Sequence, residues 1–255
     1  MNKMQSITKT MKSTMNLAVL AAGVMCTSLA ASATMIDFNF KTTTGTNTSN
    51  STLGNVRTFN SLDGTVNVMA TAWSLSNLGA NFTAGQIGQA LGYGLWACNA
   101  TEGVNCPAPA HQIDNVNGYD FVLLQFSQIV DPQSLVIKTF NNADLDVTYY
   151  LGNTAANLSL TSVNLAGLAG MGFGARLSDD VDTTATSRTV SLASNSGVNA
   201  MLIGARIYGD NKPDYFKISS LSANPVSPTP EPSTMALTGI ALAGLGLYGR
   251  GRRSA

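Results

Sequence analysis

Tyr119-Asp120-Phe121-Val122-Leu123-Leu124-Gln125-Phe126 is a dense apolar run, and its apolar residues do not alternate with polar ones. It reads as a central strand buried on both faces. On the C-terminal side, Asp131-Pro132 is a turn signal, and Leu135 to Phe140 reads as the next strand. Asn141-Asn142 then separates it from Val147 to Leu151. On the N-terminal side, Ile36, Phe38 and Phe40 alternate with Asp37 and Asn39, and Val66 and Val68 flank Asn67 in a run that reaches Trp73. Further strand patterns lie at Thr189 to Ala193, Met201 to Tyr208 and Tyr215 to Leu221. Short strands split by Gly, Asn, Asp and Pro predict an all-β fold, a single jelly-roll-like β-sandwich. Three stretches fit less simply. Thr83 to Gly94 reads as a helical turn or irregular loop, Ala155 to Gly174 as strand or turn, and Thr42 to Ser51 as a flexible loop.

Only 11% of the 255 residues are charged, against roughly 25% in an ordinary soluble domain. Gly, Ala, Ser, Thr and Asn take their place, which suits strands and turns better than long surface helices. Six of the 14 basic residues sit at the two ends. That leaves 8 against 13 acidic residues between 34 and 229, a balance of −5. A mildly acidic body argues against a nucleic-acid partner, because phosphate binding needs a basic face.

The two ends have compositions of their own. Lys3, Lys9 and Lys12 precede an apolar run from Met15 to Met25 that continues to Ala31, and Ala31-Ser32-Ala33 supplies the small residues a signal peptidase requires. Residues 1–33 therefore read as a signal peptide, with cleavage after Ala33. Residues 34–227 are the extracellular domain and 228–255 a tail. In the tail, Ser227 to Pro232 is a stiff Pro-rich spacer. Thr234 to Tyr248 is apolar and uncharged, and Arg250, Arg252 and Arg253 close the chain. The apolar run is shorter than the ~20 residues that usually cross a bilayer. It spans if Ser233 and Gly249 are included and the arginines snorkel to the cytoplasmic side.

Pro230-Glu231-Pro232-Ser233-Thr234, then a Gly/Ala/Leu helix, then the Arg250 to Arg253 cluster, resembles the PEP-CTERM sorting signal of Gram-negative bacteria that make exopolysaccharide. The resemblance implies recognition by an exosortase, a membrane cysteine transpeptidase, and removal of the tail. It places the chain at the inner membrane in transit and at the cell surface or in the extracellular matrix afterwards. Signal peptidase and exosortase are the partners during export, and exopolysaccharide is the expected partner outside.

Cys98 and Cys106 remain in the exported body, and an even count in an oxidising compartment predicts one disulfide. The short loop makes its gain modest, ~2–3 kcal/mol. The competing reading is a metal pair with His111, which lacks a fourth ligand unless an Asp joins. The densest polar constellation is His111-Gln112-Ile113-Asp114-Asn115, followed by Asp120, with Asp144-Leu145-Asp146 further on. Asp144 and Asp146 at alternating spacing share one side of a strand. With Asp114 and Asn115 they form a candidate calcium set of hard oxygen ligands; the competing reading is that these residues cap turns. Asp179, Asp180 and Asp182 read as a solvated acidic loop. Ala72-Trp73-Ser74, Cys98-loop-Cys106, His111-x-x-Asp114-Asn115 and Asp144-x-Asp146, in that order, resemble a family of exosortase-dependent surface proteins, a likeness that implies no biochemical activity.

His111 is the only histidine, so a histidine-based hydrolase would have to use it. No Gly-x-Ser-x-Gly elbow is present, and Glu102 is the only Glu before the tail. Trp73, Trp96, Tyr149 and Tyr150 offer a sugar-stacking platform or, alternatively, core packing. The expected function is a structural or adhesive matrix protein without catalytic activity. A carbohydrate-binding module, assisted by calcium, is the alternative, and a secreted hydrolase using His111 is the third reading.

Overall fold

The computed structural model describes residues 34–47, 52–102, 111–139, 144–181, 185–193, 195, 197–209 and 212–226, together with Gly239 and Leu242, which are helical. The proposed leader and the rest of the tail lie outside the described residues. Among those described, no helix is long and apolar enough to cross a membrane.

Fourteen strands occur among the described residues. They are β1 (Ile36–Asn39), β2 (Thr46–Asn47), β3 (Arg57–Asn60), β4 (Asn67–Leu75), β5 (Thr83–Ala84), β6 (Gln86–Ala90), β7 (Gly94–Cys98) and β8 (Ile113–Asp114), followed by β9 (Tyr119–Lys138), β10 (Val147–Gly152), β11 (Leu177–Asp179), β12 (Ser187–Ser191), β13 (Val198–Ala205) and β14 (Tyr215–Pro225). A 3₁₀ helix spans Leu165–Met171. The chain is therefore all-β, and every strand pairing is antiparallel.

One strand organises the rest. β9 runs for 20 residues. Its first half pairs with β4, from Leu75↔Tyr119 to Val68↔Phe126, and on its other edge with β13. Its second half pairs with β12 and with β14. The network thus has two arms. The first runs β2-β3-β4-β9-β13-β10-β11, with β5 on β4. In the second, β12, β9 and β14 lie side by side, β1, β7 and β8 pair with β14, and β6 pairs with β7. Both arms contribute to one core: Val68, Ala70, Val122, Leu124, Met201 and Ile203 from the first, and Phe38, Leu135, Ile137, Ile218 and Leu221 from the second. The Phe38 ring lies 6.0 Å from that of Phe126, and Phe40 meets Phe59 edge-on at 5.0 Å. The β-rich fold is as expected, and its strands form one hydrogen-bonded sheet network that β9 threads from end to end.

This arrangement corrects the turn expected at Asp131-Pro132. The chain does not reverse there. It passes from one arm to the other through the exposed residues Ser127, Gln128 and Ile129 and continues as β9. Pro132, which has no N–H to donate, sits where the β14 register shifts between Ser222 and Ala223. The segment Thr83 to Gly94 is also strand: β6 and β7 form a hairpin, Gln86↔Cys98 to Ala90↔Gly94.

The outer face of the first arm is covered as well. Phe121, Leu123, Trp73, Leu75 and Leu202 pack against Leu158, Leu160, Leu168 and Phe173 from the segment between β10 and β11. That segment, left between strand and turn above, is a lid of loop and 3₁₀ helix. The Oδ1 of Asn164 caps the helix by accepting the Gly167 N–H at 2.9 Å. Gly172 ends it at φ +97°, where a Cβ would stand 2.1 Å from the Asn153 carbonyl oxygen, so only glycine fits. Alternate residues of β9 therefore enter two different cores, which explains its unbroken apolar run.

Leu123→Ala and Leu124→Ala, on opposite faces, are each expected to cost about 2–5 kcal/mol in denaturant unfolding. A loss under about 0.5 kcal/mol at Leu123, the value of an open surface site, would contradict the covered outer face.

Candidate functional site

Of the four residues expected to hold calcium together, Asn115, Asp144 and Asp146 gather around Asp214, and Asp114 lies elsewhere. β8 pairs Ile113 with Phe216 and Asp114 with Tyr215, and strand alternation sends Ile113 into the core. Asp114 turns to one side, where Glu102 and Asp120 place a carboxylate oxygen within 4.8 Å of its own and of each other. Asn115 turns to Asp214: its Nδ2 donates to Asp214 Oδ2 at 2.8 Å, and the Asp214 N–H donates to Asn115 Oδ1 at 3.0 Å. Asp144 and Asp146 lie with Asp214 in a second carboxylate cluster. The expected set is split because adjacent residues of β8 and the loop after it face different elements. Asp214 and Asp120 complete the two clusters. Asp120 stood in the same polar constellation as Asp114, whereas Asp214 could not be assigned from spacing, being 68 residues from Asp146.

The second cluster is neutralised within the chain. Arg206 Nη1 reaches Asp146 Oδ2 at 2.9 Å and also pairs with Asp180, and Lys212 Nζ stands 3.4 Å from Asp144 Oδ2. Backbone amides donate to the same carboxylates: Val181 N to Asp146 at 2.8 Å and Asp146 N to Asp214 at 3.1 Å. Burial, then the Asp180 carboxyl, pushes Asp146 up to about 6 against the Val181 amide and Arg206. The acidic run at 179–182 is correspondingly not a free solvated loop: Asp179 is ion-paired to Arg188 at 2.5 Å and Asp180 to Arg206, while Asp182 lies outside the described residues.

The first cluster has no such cation. Among the described residues, no ion pair involves Glu102, Asp114 or Asp120. Asp120 is 1% exposed. Its Oδ1 accepts from Asn99 Nδ2 at 3.3 Å, and its Oδ2 has no hydrogen-bond partner. Burial, then Glu102, pushes Asp114 up to about 7 against the Val116 amide. Burial raises Asp120 well above the ordinary carboxylate range, with Asp114 and Glu102 adding to it and the Asn99 amide and the Asp114 backbone N–H opposing it, and burial also raises Glu102.

His111 is buried, with its ring centroid 4.8 Å from that of half-buried Trp96. Its carbonyl accepts from the buried Lys217 ammonium, and its Nε2 has no hydrogen-bond partner. Burial, then Lys217, brings His111 down to about 4; burial brings Lys217 down to about 8. Thus His111, Asp114 and Asn115 do not form one binding constellation. Cys98 ends β7 and is buried; Cys106 lies outside the described residues.

Trp73, Tyr149 and Tyr150 are core residues. An aromatic residue not singled out above, Tyr208, is instead 64% exposed. It holds φ +60°, a conformation that is strained for a bulky side chain. The Arg176 guanidinium stands 4.8 Å from its ring centroid. Tyr208 borders a cleft of about 560 Å³ lined also by Asn115, Tyr119, Arg206, Lys212 and Asp214. An exposed ring beside amide, guanidinium and carboxylate groups is chemistry suited to a hydroxylated ring such as a sugar. Tyr208 closes the apolar run from Met201, so its pattern signalled only a strand.

Residues 228–253 match the family model of the PEP-CTERM protein-sorting motif. The chain is therefore of the class of exported proteins that carry a C-terminal sorting signal. In particular, that signal is the PEP-CTERM sorting motif, the mark of an exosortase substrate. The motif takes in Pro230, Glu231, Pro232, Arg250, Arg252 and Arg253, all outside the described residues. No curated protein matches the chain.

The single histidine makes one result easy to read. Because the folded value lies below the ordinary 6.5, neutral His111 stabilises the fold above pH 6.5, and that stability is lost as pH falls toward 4. Nitrogen-15 NMR is expected to show a neutral imidazole at pH 5.5; a midpoint near 6.5 in the folded protein would contradict its burial.

Proposed function

We propose that the chain is a surface or extracellular-matrix protein with a structural or adhesive role in exopolysaccharide. The observation that carries this reading is the sorting motif at 228–253. The leader, residues 1–33, directs export and leaves by signal peptidase cleavage. The tail, 228–255, then holds the chain in the inner membrane, with Arg250, Arg252 and Arg253 on the cytoplasmic side, until exosortase acts at Pro230-Glu231-Pro232. The body, 34–227, is delivered to the outside of a Gram-negative cell. Its low charge suits a hydrated polymer matrix, and its order of Cys, His-x-x-Asp-Asn and Asp-x-Asp motifs supports kinship with exosortase-dependent surface proteins. A Cys98–Cys106 disulfide belongs to the same reading. The role proposed is a non-catalytic one. In the native host, changing Pro230, Glu231 and Pro232 together to Ala is expected to trap uncut chain in the membrane fraction. Undiminished delivery of mature protein to the surface would sink the assignment.

The cleft at Tyr208 favours a second reading, direct carbohydrate binding by the body. The exposed ring supplies a stacking face, and Asn115, Arg206 and Asp214 supply groups for sugar hydroxyls. Tyr208→Ala is expected to weaken retention on the host's exopolysaccharide about 2–10-fold, as loss of an aromatic contact of ~0.5–1.5 kcal/mol would. Equal retention of variant and parent would remove the cleft from the account.

A further inference from the structure

We propose that Glu102, Asp114 and Asp120 form a calcium site that ties the described segment Asn99 to Glu102, which follows β7, onto β8 and β9. The three residues come from different elements: Glu102 from the loop that follows Cys98, Asp114 from β8, and Asp120 from the start of β9. One carboxylate oxygen of each lies within 4.8 Å of the other two. Oxygens bound to a common calcium ion stand up to about 5 Å apart, twice the 2.3–2.6 Å metal–oxygen distance.

The independent observation is Asp120. Its carboxylate is 99% removed from solvent at 1% exposure, and Oδ2 has no partner. A buried carboxylate oxygen without a donor is costly, and two further carboxylates beside it make the cost larger. The contrast with the other acidic cluster is informative: Asp144 and Asp146 each meet a cationic side chain, and the first cluster meets none among the described residues. A bound cation supplies the missing charge.

The donors are all carboxylates, with no sulfur or imidazole among the three, so the ligand is a hard cation. Calcium fits better than magnesium, because it accepts several chain carboxylates in an irregular shell, whereas magnesium keeps most of its water. The supporting frame is built around the same point. Asn99, 3% exposed, donates its Nδ2 to Asp120 at 3.3 Å, while its backbone N–H donates to Glu102 Oε2 at 2.9 Å. Asn99 thereby orients two of the three ligands, leaving the remaining oxygens for the ion. This site is distinct from the Tyr208 cleft and does not depend on how the tail is processed.

The test uses the purified exported chain, stripped with EDTA and titrated with calcium chloride or magnesium chloride alone, read by calorimetry and by thermal melting. One calcium is expected to bind per chain, raising Tm by about 5–10 °C at a hundredfold excess over Kd, with a smaller shift from magnesium. Asp120→Asn and, separately, the more exposed Glu102→Gln should each weaken calcium binding at least about tenfold. Asp120→Asn without calcium should melt no lower than the stripped parent, since it removes a buried carboxyl crowded by two others. Asp144→Asn should keep the parent's calcium response. Absence of heat and of any Tm shift at 10 mM calcium, about tenfold above the Kd of the weakest extracellular calcium modules, would overturn the site. So would a full calcium response in both Asp120→Asn and Glu102→Gln, or its loss only in Asp144→Asn.

Discussion

The fold depends on β9 being apolar on both faces. Val122, Leu124 and Phe126 enter the core between the two arms, while Phe121 and Leu123 enter the core beneath the lid. Each buried Leu or Phe contributes on the order of 1.5–3 kcal/mol relative to exposure, and this strand buries such residues on successive positions. Antiparallel sheets usually leave one face to water. Here the segment after β10 removes that face from water, held in place by the Asn164 cap and the Gly172 turn. The continuation of β9 through Pro132 into the second arm then fixes how the arms meet, because the same backbone belongs to both.

The polar chemistry is a consequence of that frame. The start of β9 carries Asp120 into a position where burial is nearly complete, and β8 brings Asp114 beside it by pairing with the first residues of β14. A chain with few charges nevertheless buries two groups of carboxylates. One is tied by Arg206, Lys212, Asn115 and backbone amides into a network that joins the ends of β10, β13 and β14. The other lacks that compensation. The difference comes from the neighbours and not from the acids themselves, since each group contains closely spaced Asp residues.

How much could be read directly from the chain follows from the range of each signal. The run Tyr119 to Phe126 announced a doubly buried strand because burial on two faces leaves its mark on consecutive residues. The continuation through Asp131-Pro132 was hidden, because a proline marks a turn locally and only the register shift opposite Ser222 and Ala223 shows how a strand accommodates it. The hairpin of β6 and β7 was hidden for another reason. Gly88 is needed where a Cβ would stand 1.9 Å from the Trp96 ring, and glycine in a short segment reads as loop. Asp114 and Asn115 looked like partners because they are adjacent in sequence; strand geometry made them diverge, so that Asp114 meets Asp120, its neighbour in the sequence constellation, while Asp214 entered through tertiary contacts. Tyr208 gave no signal of exposure, since its apolar neighbours Met201 to Ala205 are truly buried.

The sorting motif was readable for the opposite reason: an address label is linear, and its order of Pro-Glu-Pro, apolar run and arginines needs no fold to be recognised. It is also the part that assigns this β-rich body its destination. The most direct measurement is the intact mass of the protein recovered from outside the cell. The account predicts a chain that stops ahead of the apolar run beginning at Thr234. An extracellular species still ending in Arg252, Arg253, Ser254 and Ala255 would contradict it.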